Sequence, residues 1–208
     1  MTSSAHRTSR EALGIVFGAT GIVIFAGFVL VAAPYLQLRN APVPEDLKPY
    51  TKAQARGRAQ YVSLGCVYCH SQQPRDPSIA PDDQRGWGRP SIPADYTYDY
   101  PHLLGTMRTG PDLLNIGVRQ PSQAWHLLHL YQPRALVQGS IMPAYPFLFE
   151  VKAKAHDDEV VVDVPAPYGP AEGVVIAKPQ ALDLTAYLMG LDRTYAIDAA
   201  LSVKESEE

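Results

Sequence analysis

From Leu13 to Ala33 the chain reads LGIVFGATGIVIFAGFVLVAA, 21 positions without a charged side chain. No other feature restricts the fold so strongly. As an α-helix the run is about 31 Å long, close to the roughly 30 Å hydrocarbon core of a bilayer. Gly14, Gly18, Gly21 and Gly27 fit that reading, because glycine is commoner in membrane helices than in soluble ones. A cleaved signal peptide has an apolar region of only about 7–15 residues, so the length favours a retained anchor. Arg7 and Arg10 precede the run, which places a short polar tail, residues 1–12, in the cytoplasm. Residues 13–33 are then the transmembrane anchor. Residues 34–50, from Pro34 through RNAPVPEDLKP, form a proline-rich linker expected to act as an extended spacer.

Thr51 is a plausible N-cap for a helix running through KAQARGRAQYVSLG. That helix delivers the chain to GCVYCH, Gly65 to His70, which holds both cysteines of the 208-residue chain. Three chemistries use such a pair: a redox dithiol, half of a zinc site, or covalent haem attachment. A thioredoxin-like dithiol needs a βαβ context, and none is visible. A zinc site needs a second pair of ligands, and no further cysteine exists. C-x-x-C-H is the attachment signal for c-type haem, with Cys66 and Cys69 adding to the vinyl groups and His70 ligating iron. Attachment would take place on the outer face of the membrane, which agrees with a cytoplasmic N-terminus and a periplasmic haem domain.

Such an iron needs a sixth ligand or an open position. Met142, in SIMPAYPFL, lies 72 residues after His70 in a proline-flanked loop that can hold it at one place. Met107, in GTMRTGPD, is the next candidate, whereas Met189 lies on a helix face. His126 or His129, in AWHLLHL, would instead give a bis-histidine iron of lower potential. A His/Met iron is coordinately full, which favours electron transfer, and methionine raises the potential. Burying haem propionates calls for donors, and Arg75, Arg108, Arg119 and Arg134 are candidates. Pro111 follows in RTGPDLLNIG, where a proline carbonyl could hydrogen-bond the non-ligating nitrogen of His70.

The rest of the chain suits ordered loops around a helical core. Proline is abundant at 19 and tyrosine at 12, while 46% of residues are hydrophobic, which excludes disorder. A net charge of -3 leaves no basic face for nucleic acid. PQALDLTAYLMGL, from Pro179 to Leu191, predicts an amphipathic closing helix with Leu182, Ala186 and Met189 at helical spacing. Before it, VKAKA, EVVVDV and GVVIAK have strand composition, so residues 150–178 read as a small β excursion. Asp157, Asp158, Glu159 and Asp163 fit a solvated hairpin tip better than a cation site. Residues 202–208 read as a frayed, charged tail. The expected fold is mainly α: a single transmembrane helix and a mono-haem domain over residues 51–201.

An opening helix before C-x-x-C-H and a closing helix at the end resemble the class I cytochrome c fold. That resemblance implies that the two helices cross through Gly57, Tyr61 and Tyr187, and it suggests Pro111 as the carbonyl that orients His70. GRAQYVSLGCVYCHSQQPR, RTGPDL, AWHLLHLYQPR and MPAYPFL, in this order, resemble more narrowly the membrane-anchored mono-haem subunit, often called the O subunit, of cbb3-type cytochrome c oxidase. The match covers about Gly57 to Leu148 and the anchor. It implies one covalent haem c ligated by His70 and Met142 and attached through Cys66 and Cys69. It also implies a bacterial inner-membrane complex with two partners: a haem-copper catalytic subunit, and a di-haem cytochrome c subunit or soluble cytochrome c as donor. The segment GRPSIPADYTYDYP would pack on the catalytic subunit, in a region where the family holds a calcium ion. The chain itself would reduce no oxygen, because every assigned ligand serves one six-coordinate iron.

This sequence departs from the family pattern at Leu64, where an acidic residue is common, and at Pro74, Gln132 and Phe147, where valine, asparagine and tryptophan are usual. The haem ligands are untouched by these changes, which bear on contacts with neighbouring subunits. Two rival readings share the same features: a subunit of a nitric oxide reductase, and a stand-alone tethered shuttle. The long segment Asp76–Pro101 favours a permanent packing surface over a shuttle, since a loop of that length usually has a partner or a function.

Overall fold

The computed structural model describes residues 2–39, 42–105 and 107–197. The charged tail expected at 202–208 lies outside the described residues, as do the side chains of Arg7 and its neighbours. The chain divides into two compact units, Met1–Pro42 and Val43–Glu208.

The first unit is helical. Helix α1 (Thr2–Gly27) widens into a π-type turn over Phe28–Ala32 and continues as α2 (Ala33–Leu38). The helical region therefore runs past Pro34, further than the apolar run. Proline lacks an N–H and its ring crowds the carbonyl four residues earlier. The π turn, in which the Ala33 N–H donates to the Phe28 carbonyl, precedes the proline and loosens the backbone there. Arg10–Gln37, 28 residues, is long and apolar enough to cross a membrane. Leu13, Phe17, Ile22, Phe25 and Leu30 are all more than half exposed, so the helix is apolar on every side, as a membrane anchor is.

The second unit is built on a helix crossing. Helix α3 (Lys52–Ser63) starts in a capping box: the Gln54 N–H donates to Thr51 Oγ1, and the Thr51 N–H donates to Gln54 Oε1 at 2.8 Å. Helix α6 (Pro179–Met189) packs across it. The crossing point is Gly57, where any side chain would run into the Asp183 carbonyl and the Tyr187 Cβ. The rings of Tyr61 and Tyr187 meet edge-on there, with centroids 5.6 Å apart. Both are fully buried, and they anchor a core that includes Leu113, Ile116, Leu127, Leu130, Leu184 and Leu191. Between the two helices lie the short α4 (Ile116–Arg119) and α5 (Gln123–Tyr131), the latter capped by Ser122.

Residues 149–177 form a three-stranded antiparallel sheet: β1 (Phe149–Lys152), β2 (Val161–Val162) and β3 (Val174–Ala177), in the order β1-β3-β2. The register pairs Phe149 with Ala177 and Val161 with Ile176. Phe149, Val162, Val175 and Ala177 are buried in the core, so the sheet is part of the domain body.

The segment Asp76–Pro101 has little regular structure, yet it is anchored from within. Asp82, Asp95 and Asp99 are buried, and each meets an arginine: Arg108 at 2.5 Å, Arg89 at 2.7 Å and Arg58 at 3.1 Å respectively. Trp87, Ala94 and Tyr96 are buried beside them.

Candidate haem site

After α3, Gly65 adopts the left-handed conformation at φ 74°, which turns the chain into a 3-10 turn over Cys66–Tyr68. The N–H groups of Cys69 and His70 both donate to the Cys66 carbonyl, at 3.1 and 2.9 Å. C-x-x-C-H is thus one compact loop. Both thiols are free, Cys66 half-buried and Cys69 exposed. Burial pushes the Cys66 thiol up to about 11, and the Tyr145 hydroxyl lies beside it.

His70 lies with Nδ1 2.7 Å from the Pro111 carbonyl oxygen. A carbonyl only accepts, so Nδ1 carries the proton and the neutral ring keeps the lone pair on Nε2. Two further features hold this geometry. The Gly110 N–H donates to the Cys69 carbonyl at 2.9 Å, and a side chain at Gly110 would collide with the His70 ring. Burial lowers the basicity of His70, against the opposing effect of the Pro111 carbonyl.

Met142 is half-buried against the core, in a loop tied to α5 by the Tyr145 N–H donating to the Leu130 carbonyl at 2.9 Å. Tyr145 comes from this loop and meets Cys66, which brings the methionine loop and the cysteine loop together. Met107 is 57% exposed. His126 is buried, with Nε2 on the Gln120 carbonyl at 2.8 Å. His129 stacks on Trp125 with centroids 4.6 Å apart; burial, then the charges of His126 and His70, lower it to about 4, and its buried Nδ1 has no partner among the described residues.

The arginines differ. Arg108 is held by the protein: its nitrogens reach Asp82 at 2.5 Å, the Gln73 carbonyl at 2.6 Å and Ser71 Oγ at 3.0 Å. Arg75 is half-buried and donates its backbone N–H to Asp82 at 2.8 Å. Arg134 is exposed in the turn Pro133–Ala135. Arg119 donates to the Asp112 carbonyl, while its buried Nε has no partner among the described residues.

A family model described as cytochrome c oxidase, mono-heme subunit/FixO, matches residues 6–172. The chain belongs to this family. The FixO match takes in the apolar helix, the C-x-x-C-H loop, the Met142 loop and β1 and β2, and ends before β3. The chain is accordingly a mono-haem subunit of a cytochrome c oxidase, an oxidoreductase complex, and works in electron transport. No curated protein matches it.

One haem agrees with one C-x-x-C-H loop, and the residues present fit the group. Two free thiols stand beside an imidazole whose Nε2 is left unprotonated, and the buried Nε of Arg119 and Nδ1 of His129 have no partner among the described residues. Sequence reasoning did not pick out Gly110, Asp112 or Tyr145. A glycine directly before Pro111 was the one available signal, since a close backbone approach favours glycine.

Proposed function

We propose that this subunit relays electrons into a haem-copper catalytic subunit that reduces oxygen to water, through one haem c bound covalently at Cys66 and Cys69. His70 and Met142 are the axial ligands. The carrying observation is the 2.7 Å contact between His70 Nδ1 and the Pro111 carbonyl, which leaves Nε2 for a metal and orients the ring. Met142 is favoured over Met107 because it is half-buried beside Tyr145, whose hydroxyl reaches Cys66, whereas Met107 is largely exposed. Among the arginines, Arg119 suits a propionate best because its buried Nε has no partner among the described residues; Arg75, Arg108 and Arg134 stand behind it. Haem c supplies a one-electron couple, and His/Met ligation sets its potential high.

In this reading residues 13–33 span the bacterial inner membrane, with residues 1–12 cytoplasmic. Residues 34–50 link the anchor to a periplasmic haem domain at 51–201, and 202–208 is a tail. The donor is a di-haem cytochrome c subunit or a soluble cytochrome c. Tyr100, 92% exposed, and Ile79, 73% exposed, offer the outer face of the Asp76–Pro101 segment to the catalytic subunit.

The test is to isolate the complex from membranes through a tag on this chain and assay donor-dependent gas consumption. Oxygen turnover with a co-purifying haem-copper subunit is expected. Nitric oxide turnover alone would move the chain to a reductase, and a lone cytochrome would make it a tethered shuttle.

A further inference from the structure

Asp112 follows Pro111 directly and is fully buried. Its carboxylate accepts three hydrogen bonds: from the Ser71 hydroxyl at 2.6 Å, the Gln73 N–H at 2.7 Å and the Leu114 N–H at 2.9 Å. Burial pushes its carboxyl up, and the three donors and a guanidinium nitrogen of Arg108 at 3.8 Å oppose that by favouring the ionised form. Two of the donors belong to the residues just beyond His70, and the third lies on its own strand of chain. The backbone reinforces the connection, with the Leu113 N–H on the Ser71 carbonyl at 2.8 Å and the Gly110 N–H on the Cys69 carbonyl at 2.9 Å. On the far side, Arg119 donates to the Asp112 carbonyl, and Arg108 Nε donates to Ser71 Oγ at 3.0 Å. The segment carrying His70 and the segment carrying the Pro111 carbonyl are therefore joined at both ends, and the side chains of Asp112 and Arg108 bridge them, Asp112 from the position next to Pro111.

We propose that Asp112 is the positioning residue for His70: it locks residues 71–73 onto 111–114 and so fixes the Pro111 carbonyl against the imidazole. The inference rests on His70 as the iron ligand. A short, fixed Nδ1–H···O bond gives the ring imidazolate character and stabilises ferric iron, which lowers the potential. Loosening the bridge weakens that bond, spreads the ring orientations and raises the potential. The buried negative charge acts in the same direction, so charge and positioning must be separated.

The experiment compares Asp112→Asn, Asp112→Ala and Ser71→Ala in the full-length chain within its purified complex. Covalent haem per chain, the ferric EPR spectrum and the midpoint potential are read. Asp112→Asn removes the charge while its amide oxygen can keep the Ser71 and Gln73 bonds. Asp112→Ala removes charge and bridge together. The expected result is a raised potential in Asp112→Asn with wild-type EPR line shape, and a higher potential with broadened EPR lines in Asp112→Ala. Equal potentials and line shapes in the two variants overturn the positioning role. Should Asp112→Ala fail to accumulate, Ser71→Ala decides: it keeps the charge and removes the Ser71–Asp112 bond, together with the Arg108 Nε–Ser71 Oγ bond. A raised potential with broadened lines there supports the inference, and wild-type behaviour overturns it. A wild-type chain without one covalent haem would instead sink the haem reading itself, a separate outcome seen in the first readout.

Discussion

At the scale of single residues, Met142 and Asp82 carry opposite kinds of prediction. Met142→Ala removes the proposed sulfur ligand from a loop whose backbone is held independently, by Ser140 and by the Tyr145–Leu130 bond. The covalent haem should remain, the low-spin spectrum should be lost, and the potential should fall by a sizeable part of the roughly 0.8 V over which axial ligands set haem potentials. Retention of a six-coordinate spectrum and an unchanged potential would remove Met142 from the site. Asp82 concerns stability. Its burial pushes the carboxyl up, but the Arg108 hydrogen bond, the Arg75 N–H and the two guanidinium charges outweigh that and hold it below the ordinary carboxylate range. A depressed folded value adds stability that is fully present above the unfolded value of about 3.9 and is lost as pH falls through the folded one. Asp82→Asn should therefore cost about 3 kcal/mol near neutral pH, as breaking a buried pair does, and the gap to wild type should close below about pH 4. Urea melts of both proteins from acid to neutral pH measure it. The C-x-x-C-H loop was legible in the sequence because its residues are contiguous: two thiols and an imidazole in five residues. The carboxylates were not, because Asp82 meets its arginine 26 positions away and Asp112 meets Ser71 at a separation of 41, with no periodic pattern to mark either.

At the scale of elements, the α3–α6 crossing depends on the absence of a side chain at Gly57. Intrinsic helix propensity alone says that Gly57→Ala should stabilise α3 by about 1 kcal/mol. Packing says the reverse, because the new methyl would fall on the Asp183 carbonyl, a backbone atom that cannot step aside. So close an approach to a backbone atom takes the upper end of the about 1–3 kcal/mol that overpacking costs, so after the propensity gain a net destabilisation of about 2 kcal/mol is expected in thermal or urea melts of the holoprotein. A stabilised variant would show that the helices do not meet at this point. The opening helix was readable from Thr51 as its N-cap, while Gln54, the other half of the capping box three residues on, was not picked out. The closing helix was readable from its apolar spacing, and the sheet from β-branched runs separated by turn residues. The helical continuation past Pro34 was not, because proline ordinarily ends a helix and the π turn that accommodates it leaves no compositional trace. The order of Asp76–Pro101 was expected, but not its source, which is buried carboxylate–guanidinium pairs instead of periodic apolar residues.

At the scale of the whole molecule, the division between residues 42 and 43 separates two ways of burying apolar surface. The N-terminal unit keeps its large side chains on the outside: Phe17 is 72% exposed and Leu30 74%, which fits a membrane anchor. The second unit buries its own core, with Tyr61 and Leu114 at 1% and Leu184 and Leu191 at 0%. The side chains proposed to hold the haem, from Cys66 to Met142, all lie in that second unit. A chain that begins at Val43, exported to the periplasm, should therefore be recovered in the soluble fraction with one covalent haem, the absorption spectrum of the full-length subunit and the same melting temperature within a few degrees. The full-length chain should sediment with membranes and need detergent for release. If the shortened chain stays with membranes in cells lacking the oxidase partners, residues 43–208 carry a second membrane-binding surface. If it lacks the spectrum of the full-length subunit, the apolar helix contributes to the haem domain's fold as well as to its anchoring, and the two units are one folding body.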